Sequence, residues 1–95
     1  MPEMHFSVRW PDNSVTDCYS PSLVVKEYLE VGQTYPLTDF VVRSATALNI
    51  GSERVRQKFG YACSSAMDQL QRIQETAKRF EEVADAKVTI EGFSP

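Results

Sequence analysis

The chain has 95 residues, of which 42% are hydrophobic and 24% charged, with a formal net charge of −3. That length suits one domain, taken as residues 1–95, with a core small enough that pairing with a second copy would usefully bury more apolar surface. No apolar run approaches the ~20 residues needed to cross a bilayer. Met1 to His5 carry neither the basic region nor the apolar stretch of a signal peptide, so the expectation is a cytoplasmic protein with reduced cysteines.

Charge is unevenly spread. Residues 1–42 carry six acids against two bases, and residues 62–95 carry six against four. Between them, Arg43, Arg54, Arg56 and Lys58 face only Glu53. This basic island reads either as a solvated helix face or as a contact for an anionic partner.

Met4, Phe6, Val8 and Trp10 alternate with His5, Ser7 and Arg9, the pattern of a strand with one buried face. Pro11-Asp12-Asn13 predicts a three-residue hairpin loop, with Asn13 in the left-handed region. The register then sets Trp10 opposite Ser14, Val8 opposite Thr16, Phe6 opposite Cys18 and Met4 opposite Ser20. Val15 and Tyr19 fall beside Arg9 and His5 on a second, half-polar face.

Ser20-Pro21 predicts the start of a short helix with Leu23, Val24, Tyr28 and Leu29 inward and Gly32 at its end. Residues 33–36 read as a connection. A second helical stripe runs through Leu37, Phe40, Val41, Ala45 and Leu48. Asn49, Gly51 and Ser52 are expected to interrupt it, with Ser52 capping a further segment that carries Val55 and Phe59.

The longest pattern is Cys63, Ala66, Leu70, Ile73, Ala77, Phe80 and Ala84, spaced three and four apart on one helix face. A helix from Glu53 to Val83 would be roughly 46 Å long at 1.5 Å per residue, against a globule diameter of roughly 30 Å. A break at Gly60 is therefore expected, with the last helix running from about Ala62 to Val83. Its stripe serves either to pack on the chain's own sheet or to form a dimer seam. Asp68–Arg72 and Glu75–Arg79 are spaced as ion pairs. Lys87 to Glu91 alternates again, predicting a third strand beside the first with Val88 and Ile90 inward. The expected fold is α+β, in the order β-β-α-α-α-β, with helices on one face of a three-stranded sheet.

No residue pattern predicts catalysis, a metal or a cofactor. His5 is the one histidine and sits on the exposed strand face. Cys18 and Cys63 read as small buried hydrophobes. Residues 45–58 have the spacing of a helix-turn-helix: Ala45, Leu48, a turn at 49–52 and Val55, with Arg54, Arg56 and Lys58 placed for DNA. An acidic chain argues against that use.

Several motifs together resemble a known family. They are Arg9-Trp10-Pro11-Asp12, Cys18-Tyr19-Ser20-Pro21-Ser22, Val24-Val25-Lys26 with Tyr28-Leu29, Phe59-Gly60-Tyr61-Ala62-Cys63 and Val88-Thr89-Ile90-Glu91-Gly92-Phe93. The family is the small bacterial nitrogen-starvation-response proteins. Asn13 stands where glycine is expected, and Gly51 where alanine is expected. The resemblance implies a gene cluster holding a nitrilase, a radical SAM protein, an acetyltransferase and a flavin-dependent oxidoreductase. It implies no activity or cofactor for the chain itself.

The resulting expectation is a non-enzymatic accessory or regulatory protein acting through protein contacts, on an enzyme of that cluster or as a homodimer. The alternative is a small DNA-binding regulator using residues 45–58. The residues expected to make contacts are Arg9, Asp12, Tyr19, Arg54, Arg56, Lys58 and Tyr61, with Arg54 otherwise free to pair with Asp39.

Overall fold

The computed structural model describes residues 3–61 and 63–95. Its first element is the expected hairpin. Strands β1 (Met4–Arg9) and β2 (Val15–Ser20) pair with Phe6 opposite Cys18 and Val8 opposite Thr16. Trp10 donates its N–H to the Ser14 carbonyl at 2.8 Å and accepts from the Asn13 N–H at 2.9 Å. Asn13 has φ 69°, the left-handed conformation such a loop requires and asparagine tolerates. Asp12 holds the loop by accepting from the Ser14 N–H at 3.0 Å.

The segment after the hairpin differs from the expected helix. Ser20 and Ser22 are both buried. The Ser20 hydroxyl donates to the Ser22 carbonyl at 2.7 Å, and the Val24 N–H donates to the Ser22 hydroxyl at 3.2 Å. These serine turns delay the helix, so α1 spans only Val25–Tyr28. Leu23, expected inward, is 44% exposed, while Val24, Val25 and Leu29 are buried. Arg43 takes up the Tyr28 carbonyl at 3.0 Å, and Leu29 has already turned to extended backbone. Gly32, at φ 83°, donates to the Ile90 carbonyl at 2.8 Å. The chain therefore leaves α1 to join the sheet.

Residues 33–36, expected to be a connection, instead contribute a short strand, β3 (Thr34–Pro36). The last strand, β4 (Lys87–Ser94), lies between β1 and β3. The sheet thus has four antiparallel strands in the order β2-β1-β4-β3, where three were expected. Three residues are too few for alternation to reveal a strand, and Pro36 hides it further, since proline is tolerated at an edge.

The largest correction concerns α2, a single helix over Leu37–Phe59. No turn forms at Asn49-Ile50-Gly51-Ser52, so residues 45–58 do not make a helix-turn-helix. The small residues there serve packing. Ser44, Ala47, Gly51 and Ser52 are buried on one face. A Cβ on Gly51 would lie 3.1 Å from Cγ of Pro21. Glycine at this site lets the serine turn press against the helix. Gly60 does break the chain as expected: its φ is 84° and it donates to the Arg56 carbonyl at 2.8 Å.

Helix α3 covers Ser64–Lys78. The expected start at Ala62 lies outside the described residues. The far end is shorter than expected, because turns at residues 79–85 carry the chain to β4. Ala66, Ile73, Ala77 and Phe80 are buried within the chain, Cys63 and Leu70 are half-buried, and Ala84 is exposed. Most of the stripe is thus buried in the chain's own core. Asp68 pairs with Arg72 at 3.1 Å. Glu75, expected to pair with Arg79, accepts instead from Gln71 at 3.1 Å.

Phe6, Val8, Trp10, Cys18, Val88 and Ile90 form the buried sheet face, closed by Phe40 and Leu48 of α2 and by Ile73 and Phe80 at α3. The other face holds His5 3.5 Å from Asp17, an Arg9–Glu91 ion pair, and the Thr34 and Thr89 hydroxyls 2.9 Å apart. α3 runs beside the free edge of β2, where Gln69 accepts from the Tyr19 N–H at 3.0 Å. No described helix is long and apolar enough to cross a membrane.

Two glycines test this account. Gly51→Val puts two γ-carbons against Pro21 and is expected to cost about 1–3 kcal/mol through overpacking. Gly60→Ala places a side chain at φ 84° and is expected to cost about 1 kcal/mol. Both are read from urea midpoints at unchanged slope. A stability unaffected by Gly51→Val would remove the close helix–turn contact.

Candidate functional site

The seven residues expected to make contacts separate into two groups at opposite ends of β2. Arg9 and Asp12 lie at the hairpin end, and both are engaged within the chain. Arg9 pairs with Glu91 and donates to the Asn13 carbonyl at 3.2 Å. The Asp12 carboxyl is held below its usual range by hydrogen bonds from the Ser14 hydroxyl and N–H. Their observed interactions tie the hairpin to β4 and shape its turn.

The other five residues gather where α2 breaks from α3. α2 continues for about two turns past Ser52, its last buried residue. Its final turns therefore project Val55 and Phe59 beyond the core, with Val55 half-buried and Phe59 51% exposed. Tyr61 follows the break, is 67% exposed, and lies with its ring 6.3 Å from that of Phe59. The return into α3 is pinned by the Cys63 N–H, which donates to the buried Ser52 hydroxyl at 3.2 Å.

These residues enclose an open pocket of about 370 Å³ lined by Tyr19, Pro21, Val55, Phe59, Tyr61, Cys63, Ser64 and Ser65. Burial and the adjacent Cys63 thiol raise the Tyr19 phenol above its ordinary value. The lining combines apolar Val55 and Pro21, the aromatic rings of Tyr19, Phe59 and Tyr61, and the Ser64 and Ser65 hydroxyls.

The three bases on α2 have different surroundings. Arg56 is paired with Glu53, its Nε 2.9 Å from Oε2, and each holds the other in its charged form. Arg54 reaches the Ser22 hydroxyl at 3.3 Å. It does not pair with Asp39, which is bound to Arg43 at 2.9 Å. The Lys58 ammonium lies 5.6 Å from the centre of the Phe59 ring. Arg54 and Lys58 stand one helical turn apart on the flank of the pocket, and no described carboxylate pairs with either.

Sequence reasoning did not single out Phe59 as a site residue, placing it only on a helical segment with Val55, and it read Cys63 as a small buried hydrophobe; Pro21, Val55, Ser64 and Ser65 were likewise not chosen. The available signal was positional. Phe59 is the last apolar residue before Gly60 and follows the polar run Arg56-Gln57-Lys58 at the end of the helix. Among the described residues, no three His, Cys, Asp or Glu side chains are grouped to hold a metal ion.

This is an α+β protein with one face of a four-stranded sheet covered by helices, and with its large exposed aromatic side chains at the α2–α3 corner. The chain belongs to the family described as nitrogen starvation-induced protein NitG, whose profile matches residues 5–93. No curated protein and no solved structure matches it.

The two cysteines are free, with Cys18 buried and Cys63 half-buried. Burial pushes the Cys18 thiol up to about 11. At about pH 8, native protein is expected to take one iodoacetamide adduct rapidly, on Cys63, with Cys18 reacting only after unfolding. Peptide mass mapping reads the result, and fast labelling of Cys18 would contradict its burial. Because the unfolded Cys18 thiol ionises from its ordinary value of 9.0, its contribution to stability is complete below that pH and falls as pH rises toward about 11. Cys18→Ala should flatten this part of the alkaline denaturation curve.

Proposed function

We propose that the protein is a non-enzymatic accessory or regulatory protein of the nitrogen-starvation response. It acts by holding a protein partner, an enzyme of the same gene cluster, against the α2–α3 corner. The observation that carries this reading is the exposed Phe59–Tyr61 pair at a pocket also lined by Val55 and Pro21. Large aromatic side chains left in water together are costly, and protein interfaces are enriched in them. Aromatic anchors seated in a desolvated pocket are also where binding energy concentrates. Family membership supplies the starvation response, while the corner supplies a means of contact that needs no bond-making chemistry.

The test is affinity capture from nitrogen-starved cells with the full chain and a Phe59→Ser/Tyr61→Ser double variant, after nuclease treatment. Both residues are more than half exposed, so the variant should keep its circular dichroism spectrum and urea midpoint. The native chain is expected to retain a cluster enzyme, and the variant to retain it at least about tenfold less. Equal capture by both chains would rule out the corner as the contact. Turnover of a substrate by the purified chain alone would rule out the non-enzymatic assignment.

A further inference from the structure

The pocket's surroundings indicate what kind of segment it takes. We infer that the corner binds an acidic segment carrying an apolar anchor, presented by the partner protein. This inference rests on the docking reading above.

Three observations converge. First, the pocket of about 370 Å³ has the size of a site for one or two apolar side chains, with Phe59, Tyr61 and Tyr19 as walls. Second, Arg54 and Lys58 flank it without a carboxylate partner among the described residues. Lys58 is held against the Phe59 ring, so a carboxylate reaching Lys58 arrives over the same aromatic surface that receives the anchor. Third, the pocket's other wall is the first turn of α3, which contains no acidic residue and no side-chain cap. Its unpaired N–H groups add partial positive charge on that side.

The acids near the corner do not cancel this field. Glu53 is taken up by Arg56, and Asp68 by Arg72. The adjoining groove past Tyr19 is lined by Glu3 from the strand side and by Asp68 from α3, the latter already paired with Arg72. A segment with acids toward α2 and its anchor in the pocket satisfies this layout, whereas a basic segment meets Arg54 and Lys58 directly.

Nucleic acid is the other anionic class. It is less suited, because Arg54 and Lys58 beside the pocket, in a chain of net charge −3, give little phosphate affinity. The pocket is also an aromatic recess beside one helix flank, without a basic track along a surface.

The experiment uses the full chain and a short fluorescein-labelled peptide with a Leu-Phe pair flanked by Asp and Glu. One control peptide replaces the acids with Lys, a second replaces Leu-Phe with Ser-Ser, and a short DNA duplex serves as competitor. Fluorescence anisotropy is expected to show saturable binding of the acidic apolar peptide, at least about tenfold tighter than either control. Phe59→Ser/Tyr61→Ser should abolish it, and Arg54→Glu/Lys58→Glu should shift preference toward the Lys peptide. Absence of binding, equal binding of the controls, displacement by DNA at comparable concentration, or indifference to the charge reversal would each overturn the inference.

Cellular capture separates its failure from that of the docking reading. If Phe59→Ser/Tyr61→Ser loses the enzyme while Arg54→Glu/Lys58→Glu keeps it, docking at the corner stands and the acidic-segment inference falls. If both variants keep the enzyme, docking at the corner falls as well.

Discussion

Trp10 is the contact on which the rest of the chain depends. It is 2% exposed, meets Phe40 of α2 edge-on at 5.5 Å and stacks near Phe80 at 6.1 Å. Its indole N–H donates to the Thr16 hydroxyl at 2.9 Å, so this polar group is not stranded by burial. One side chain at the end of β1 thereby joins the hairpin to α2 and to the turn after α3. In a chain this small, such a node ties the sheet to both helical segments through one side chain, within a core that also holds Phe6, Leu48 and Ile73.

From that node the architecture runs outward in two directions. Toward the hairpin, charged residues find partners at once: Arg9 with Glu91, and Asp12 with its own turn. Toward the α2–α3 corner, α2 outruns the sheet, and the molecule extends to 42 Å along its longest axis against 22 and 17 Å across. That elongation separates two tasks. The Trp10 end maintains the fold, while the corner carries aromatic rings that the core does not use. Surface at the corner can therefore vary with little effect on the packing around Trp10.

Much of this was legible in the residues and some of it was not, for physical reasons. The hairpin was readable to the register, because alternation fixes faces and Pro-Asp-Asn has few turn conformations available. The break at Gly60 was readable because an unbroken helix would exceed the globule. The continuity of α2 was not. Gly51 and Ser52 look like a break along the chain, and only the approach of Pro21 shows that they are a packing face. β3 was hidden by its length, since its evidence lies in β4, opposite Thr89, Val88 and Lys87. At the corner, Tyr61 and the basic residues could be picked out by their chemistry. Phe59 could not, because an apolar residue on a helical stripe looks like core until the boundary of the core is known.

The sheet's two edges decide how this molecule behaves in a crowd. One edge is the three-residue β3, ending in a proline that has no N–H to offer. The other, β2, has α3 alongside, and Gln69 occupies the Tyr19 N–H. Neither gives an incoming strand a long uninterrupted ladder to extend. Backbone templating between copies, the common route to aggregates for small antiparallel sheets, is thus obstructed at both ends. Association is left to side chains, which can be selective where strand addition is not.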